Sequence, residues 1–411
     1  MTSTFTWLDH SDHDRQRVLE AIDRFKETET RDELGLGSIR DAFADYFFPG
    51  TNVIQTRARY FLFVPWMYLY LEKQKAPSAE VESKARRAET RLIQVLKDSD
   101  DSTGNLGSRA GDTLKRLPSN VYWLGMATWK IRLFDGSQDD YHRSLDRFYT
   151  RSRDERRDDD GELLGGATRR NWHGGLPQPP KGFPDEADFA LDQDEARYLV
   201  ERIQHGAHGS FLAFLALRGK PADVAAPWMH PQLGEVSSEV RGALADARCF
   251  AETMHGAAWL YNLMLAEERA KATENKEPVE RFRAELAAWA AEVGARAGEL
   301  AAWDRDAFWA RVGQLGRVKE PTKTFVNSWL RLVPWERPDG GAQLAAARSL
   351  ILHRESQLKH GRARLTNPRA LELWNGRSGI GRLDYRWGAA RRLCDDLFPA
   401  LGRGGNDAGS R

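Results

Sequence analysis

Apolar residues recur every three to four positions along almost the whole chain, the spacing of one face of an α-helix. Asp12–Phe25 sets Val18, Ile22 and Phe25 on one stripe among charges and predicts a first helix. GSIRDAFADYFFPG predicts the next. Ser38 with Asp41 three residues on has the pattern of a capping box, and Pro49-Gly50 ends the helix. A third run, Tyr60–Leu71, holds twelve apolar residues in succession behind Arg57 and Arg59. It is apolar on every side, which predicts a helix buried all round, and it falls short of the about 20 residues a membrane-spanning helix needs. Pro65 inside it predicts a kink or a fresh start.

A charged helix over Ala79–Lys97 follows, then a glycine-bearing turn, DSDDSTGNLGSRAGD. PSNVYWLGMATWKIRLF predicts another buried helix, and Tyr141–Tyr149 lies in a polar one. Residues 151–185 break the period with a charge run, paired glycines and a proline cluster, the composition of a linker or an exposed loop. Beyond it, VSSEVRGALADARCFAETMHGAAWLYNLMLAEERAKA predicts a long helix, and PVERFRAELAAWAAEVGARAGELAAW a second with Pro278 in its first turn. No convincing strand alternation and no internal repeat is present, although a short hairpin has room somewhere. The expected class is all-α and multi-helix. It has two helical bodies, residues 1–150 and 186–398, joined by the long Gly/Pro/charge-rich loop 151–185, with a disordered tail over 399–411.

Composition changes this picture little. At 411 residues, 41% hydrophobic and 29% charged, most of the chain is expected to fold, and fourteen tryptophans suit cores and interfaces. Cys249 and Cys394 offer neither a disulfide framework nor zinc spacing, and read as two buried thiols in a reducing cytosol. The opening MTSTFTWLDHSDHDRQ lacks a basic start followed by an apolar stretch, so no secretory leader and a cytoplasmic location are expected.

The net charge of +1 hides polarised ends. Residues 1–50 carry eleven acids against six bases, whereas Arg348–Arg392 holds ten arginines and Lys359 against Glu355, Glu372 and Asp384. Arginine's planar fork suits phosphate, and the interleaved Trp374, Tyr385 and Trp387 could stack on unpaired bases. The same pattern also fits a basic section docked on acidic residues of its own chain. Glu252 and His255 have the Glu-x-x-His spacing of helical di-metal sites, but a second pair is missing, so neither a metal nor another cofactor is expected. GNLGSRAGD resembles a phosphate loop only faintly, because no strand precedes it and no GK[ST] follows; Arg109 is the residue that could meet an anion there. No nucleophile motif is present, and the catalytic residues are unknown.

Several stretches taken together, SIRDAFADYFFPG, QTRARYFLFVPWMYLYLE, LPSNVYWLGMATWKIR, GLPQPPKGFP, ARCFAETMHGAAWLYNLMLAEE and LTNPRALELWNGRSG followed by YRW, resemble an uncharacterised bacterial family, the domain of unknown function 6361 family. The resemblance implies company in anti-phage defence islands near helicase-like and phospholipase-D-like genes. It transfers no catalytic residue. The polar residues embedded in these stretches are Arg57, Arg59, Arg132, Arg364, Asn367, Arg377 and Arg386; the first three read as buried arginines pairing with a carboxylate such as Asp41 or Asp45. The expected function is an accessory protein of a bacterial anti-phage system that contacts DNA, RNA or a helicase- or nuclease-type partner, and no membrane. Arg362, Arg364, Asn367, Arg377, Arg386 and Trp374 form the expected surface. An enzyme with a helical active site around Glu252 and His255, or a purely structural subunit, stays open as an alternative.

Overall fold

The computed structural model describes residues 33–99, 101–108, 116–154, 170–335 and 341–403. The predicted helix Asp12–Phe25, Arg109 and most of the expected tail lie outside them. Among the described residues the chain is all-α. Fifteen α-helices and three single-turn 3-10 helices account for the regular structure of the described residues, and the sole trace of sheet among them is an isolated antiparallel bridge between Arg132 and Trp172. No helix among them is long and apolar enough to cross a membrane.

Helix α1, Gly37–Phe47, buries Ile39, Phe43 and Phe47 on one face. The predicted capping box is absent. Leu36 heads the helix without a side-chain cap and is buried in the core, so Ser38 falls inside the first turn instead of before it. Helix α2, Tyr60–Lys73, is the buried aromatic helix, and it runs unbroken through Pro65 rather than restarting there. Its first nine residues are all buried. Phe61 stacks on Trp129 with centroids 3.9 Å apart, and Tyr68 stacks on Trp172 at 5.7 Å. Each such ring taken out of water contributes roughly 1.5–3 kcal/mol, which outweighs the one helical hydrogen bond that Pro65 cannot make.

Helices α3 (Ser78–Lys97), α4 (Pro118–Thr128) and α5 (Gln138–Asp154) surround α2. Residues 170–185, the described part of the predicted loop, close its remaining side. Trp66 Nε1 donates to Pro177 O at 2.7 Å, and Trp172 Nε1 donates to Glu72 at 3.1 Å. Helix α6 (Gln193–Gly206) begins with a capping box between Asp192 and Glu195, and α7 (Phe211–Arg218) packs beside it.

The predicted long helix is α8, Ser238–Thr273, 36 residues with nineteen of them buried. After a left-handed turn at Glu274 the chain folds back as α9, Glu277–Ala295, with Pro278 in its first turn as expected. The two helices approach closely at Gly256, where Trp289 fills the space a side chain would occupy and donates through Nε1 to Glu252 O at 2.8 Å. Helices α10 (Ala297–Ala302), α11 (Arg305–Leu315), α12 (Glu320–Leu332) and α13 (Gly341–Lys359) follow, then the short α14 (Pro368–Glu372) and α15 (Trp387–Ala400). Helix α13 packs against α8, and α11 against α1. The buried apolar cluster includes residues from Leu34 to Phe398.

Candidate functional site

The arginine-rich section begins where α13 ends. Glu355, in the last turns of that helix, has no exposed surface and collects four donors. Tyr261 Oη on α8 donates at 2.5 Å, the Arg364 and Leu365 amides at 3.0 Å each, and Lys359 Nζ at 3.2 Å. A buried carboxylate needs such partners to remain charged, and here they shape the turn that leaves the helix. Burial, reinforced by the neighbouring Glu355 charge, pushes the Tyr261 hydroxyl far above its ordinary range and keeps it a donor.

Arg364 points inward from that turn. Its Nη1 donates to Glu33 at 3.0 Å and to Ser378 Oγ at 2.9 Å. Lys359 pairs with Glu33 as well. Burial alone would raise the Glu33 carboxyl, but Lys359 and Arg364 outweigh it and hold it below the usual carboxylate range. Ser378 in turn exchanges two backbone hydrogen bonds with the Asn262 side chain of α8, each at 2.7 Å. Segment 360–382 is therefore pinned near both ends, by Glu355 of α13 at Arg364–Leu365 and by Asn262 of α8 at Ser378.

Between the pins, Asn367 heads α14, accepting from the Arg369 amide at 3.0 Å and donating to Gly361 O at 2.6 Å. Trp374 is 2% exposed; its ring faces Phe282 at 6.1 Å and its carbonyl accepts from Arg269 at 2.7 Å. Further on, Arg386 takes a left-handed backbone at the head of α15 and reaches back to α1, donating to Asp45 at 2.5 Å and to Thr51 O at 3.1 Å.

The expected surface residues thus separate. Arg364, Arg386 and Trp374 face the fold, and Asn367 caps a helix. Arg362 and Arg377 are exposed, and so is Arg369, which the sequence reading did not single out. These three guanidinium groups have no carboxylate partner among the described residues. The other cations of the section are engaged. Arg348 forks onto Glu267 at 2.7 and 2.8 Å, Arg354 is buried against the Leu34 carbonyl at 2.8 Å, Arg382 meets Glu292 at 3.2 Å and Arg391 meets Asp223 at 2.5 Å. Arg392 donates to Gln55 O at 3.2 Å.

Tyr385 and Trp387 are buried as well. Tyr385 Oη donates to Ala247 O at 2.7 Å and Trp387 Nε1 donates to Val224 O at 2.8 Å.

Arg57, Arg59 and Arg132 are buried or half-buried; the first two pair with carboxylates as expected, although not with Asp41 or Asp45, and Arg132 meets carbonyls instead. Arg57 donates to Asp396 at 2.9 Å and to Asp101 at 2.6 Å, and Arg59 to Asp188 and Glu195 at 2.7 Å each. Arg132 donates to the Phe134 and Gly136 carbonyls and lies over the Trp123 ring at 4.6 Å. Asp41 and Asp45 serve Arg386 instead.

At Thr103 and Gly104 the described part of the glycine turn presents carbonyls to its neighbours, not the amides of a phosphate cradle. The Thr103 carbonyl accepts from Arg57 at 2.9 Å and the Gly104 carbonyl from Thr56 at 2.5 Å. Glu252 pairs with Arg248 and Arg296, and His255 Nε2 meets the Ile380 carbonyl at 2.9 Å, which requires that nitrogen to carry the proton. Among the described residues no third histidine, cysteine or carboxylate joins them as a metal-binding group. Both cysteines are buried free thiols, and burial raises each above its ordinary range.

No curated protein and no solved structure matches the chain. A family model described as a family of unknown function, DUF6361, matches residues 2–400, and the chain belongs to that family.

Proposed function

We propose that this chain is an accessory protein that contacts nucleic acid through segment 360–382. The observation that carries the reading is the set of Arg362, Arg369 and Arg377, three exposed guanidinium groups without carboxylate partners on a segment pinned near both ends. Elsewhere in the section cations are matched by acids or backbone carbonyls, so these three are the ones a phosphate backbone would neutralise. Because the Trp374 ring is turned into the fold, the contacts expected are to phosphate rather than to stacked bases. Binding should then depend weakly on sequence and steeply on salt. The family resemblance supplies the proposed setting, a bacterial anti-phage system in which a helicase- or nuclease-type protein is the working partner.

The test is binding of the purified protein to single- and double-stranded DNA and RNA across a salt series, beside Arg362→Ala/Arg369→Ala/Arg377→Ala. Affinity should fall as salt rises, and the triple variant should reduce the logarithmic salt slope on duplex DNA by up to about 3, at about 0.9 per phosphate contact. No binding at low salt, or equal slopes for both proteins, would remove the nucleic-acid reading.

A further inference from the structure

We infer that Leu373 is a wedge that enters the minor groove of duplex DNA and parts two neighbouring base pairs, bending the DNA that segment 360–382 holds. Among the described residues Leu373 is the most exposed large apolar side chain, at 82%, against 62% for Tyr70 and 57% for Met229. Single exposed leucines are common, and it is position that gives this one a meaning. It follows the last residue of α14 and keeps a helical backbone, with φ −79° and ψ 0°. Arg369 stands four residues earlier, so leucine and arginine share one helix face. Arg377 stands four residues later, beyond a left-handed turn at Gly376. In the chain, an exposed guanidinium group without a carboxylate partner therefore lies on either side of the leucine. The leucine is also held outward. Its neighbours Leu371 and Trp374 are buried, the Trp374 amide donates to the Leu371 carbonyl at 2.9 Å, and the Trp374 carbonyl accepts from Arg269 at 2.7 Å.

These features select duplex DNA among nucleic acids. A single strand is held by stacking its bases on exposed aromatic rings, and the tryptophan of this segment is buried. An aliphatic side chain set between arginines is instead what a minor-groove protein uses, the arginines meeting the backbone while the apolar group unstacks a base step. Duplex RNA is recognised across a shallow minor groove by polar contacts to its 2′-hydroxyls, which a leucine cannot make. Glu372, the only acid within residues 362–377, precedes Leu373. Its charge repels a phosphate at that point and leaves the DNA backbones to the arginines on either side.

The inference rests on the nucleic-acid reading above, and one experiment separates the two. The full chain is titrated, across a salt series, against duplex DNA of about 20 base pairs with a donor dye at one end and an acceptor dye at the other. Leu373→Ala and Leu373→Met are measured beside it. Wild type should raise the energy transfer, as a kink of roughly 20–90° brings the ends together. Leu373→Ala should keep the wild-type salt slope, because the arginines remain, and lose the rise in energy transfer. Leu373→Met, still an apolar wedge, should keep both. A duplex with one central mismatch is cheaper to unstack; it should bind wild type about threefold or more tighter than the matched duplex, and Leu373→Ala no tighter. Both variants should unfold at the wild-type urea midpoint, since the side chain faces solvent. Salt-dependent binding without a rise in energy transfer, or an equal rise in wild type and Leu373→Ala, would overturn the wedge and leave the phosphate contacts standing. No binding at low salt would overturn both.

Discussion

Glu355 illustrates how much one side chain can organise. Its two oxygens hold a tyrosine, a lysine and two backbone amides from three parts of the chain. Glu355→Ala would leave the Tyr261 hydroxyl and the two amides without this acceptor, and breaking such a charged network costs about 3–5 kcal/mol. Denaturant unfolding should show a midpoint lowered accordingly; a change within about 0.5 kcal/mol would mean the network is not holding the turn.

Glu89 on α3 poses the opposite problem. It is fully buried and accepts from the Ser119 amide and hydroxyl, each at 2.7 Å, at the head of α4. Burial pushes its carboxyl up to about 7, against the Ser119 hydrogen bonds that favour the ion. In this interval the folded protein keeps a proton that the unfolded chain has released, so stability falls as pH rises from the ordinary glutamate range to about 7 and levels off above it. Glu89→Gln should remove that part of the slope. The urea midpoint of the wild type should therefore rise relative to the variant between pH 8 and pH 5. Asp396, which burial raises to about 6, contributes with the same sign in both proteins. Parallel curves for wild type and variant would refute the Glu89 contribution.

Among elements, the α8–α9 pair offers the sharpest contrast. A methyl group on Gly256 would lie 2.2 Å from the Trp289 ring, whereas one on Gly294 of α9 would meet nothing within 4 Å. Glycine to alanine inside a helix ordinarily gains up to about 1 kcal/mol. Gly294→Ala should show a gain of that kind, and Gly256→Ala should reverse it, losing about 1–3 kcal/mol through overpacking. Thermal unfolding of the two variants decides, and stabilisation by both would mean the helices separate easily.

These elements also mark how far the sequence is legible. Helices α2 and α8 announce themselves through long apolar patterns, because burial dominates their energetics. Ser38 misled because a cap depends on where the backbone enters the helix, and Leu36 set that point by packing into the core. Residues 170–185 read as part of a loop and are irregular, yet Trp172 and Pro177 tie them to α2 through tertiary hydrogen bonds that no local pattern encodes.

At the scale of the molecule, charge was legible as a polarity between the two ends and illegible as a list of free sites. Arg386 meeting Asp45 and Arg364 meeting Glu33 are the docking that the polarity suggested. Arg364 turns in to meet Glu33, 331 residues away, and Ser378, partners that no local pattern encodes. The candidate surface was therefore found at the level of the segment, and Arg369 was missed within it. Removing single arginines should separate roles. Arg364→Ala is expected to destabilise the fold in urea, while Arg377→Ala should leave stability within about 0.5 kcal/mol. Equal losses would contradict the division into inward and outward arginines.

The Arg57–Asp396 pair spans 339 residues, and Asp396 also accepts from the Ala58 amide at 2.6 Å, at the threshold of α2. On a ribosome adding about 5–20 residues per second, the aromatic helix emerges roughly 17–70 s before the carboxylate that closes its head has been made. For that interval the most apolar stretch of the protein waits with its first turn uncapped, a substrate for chaperones and a hazard for neighbouring chains on the same message.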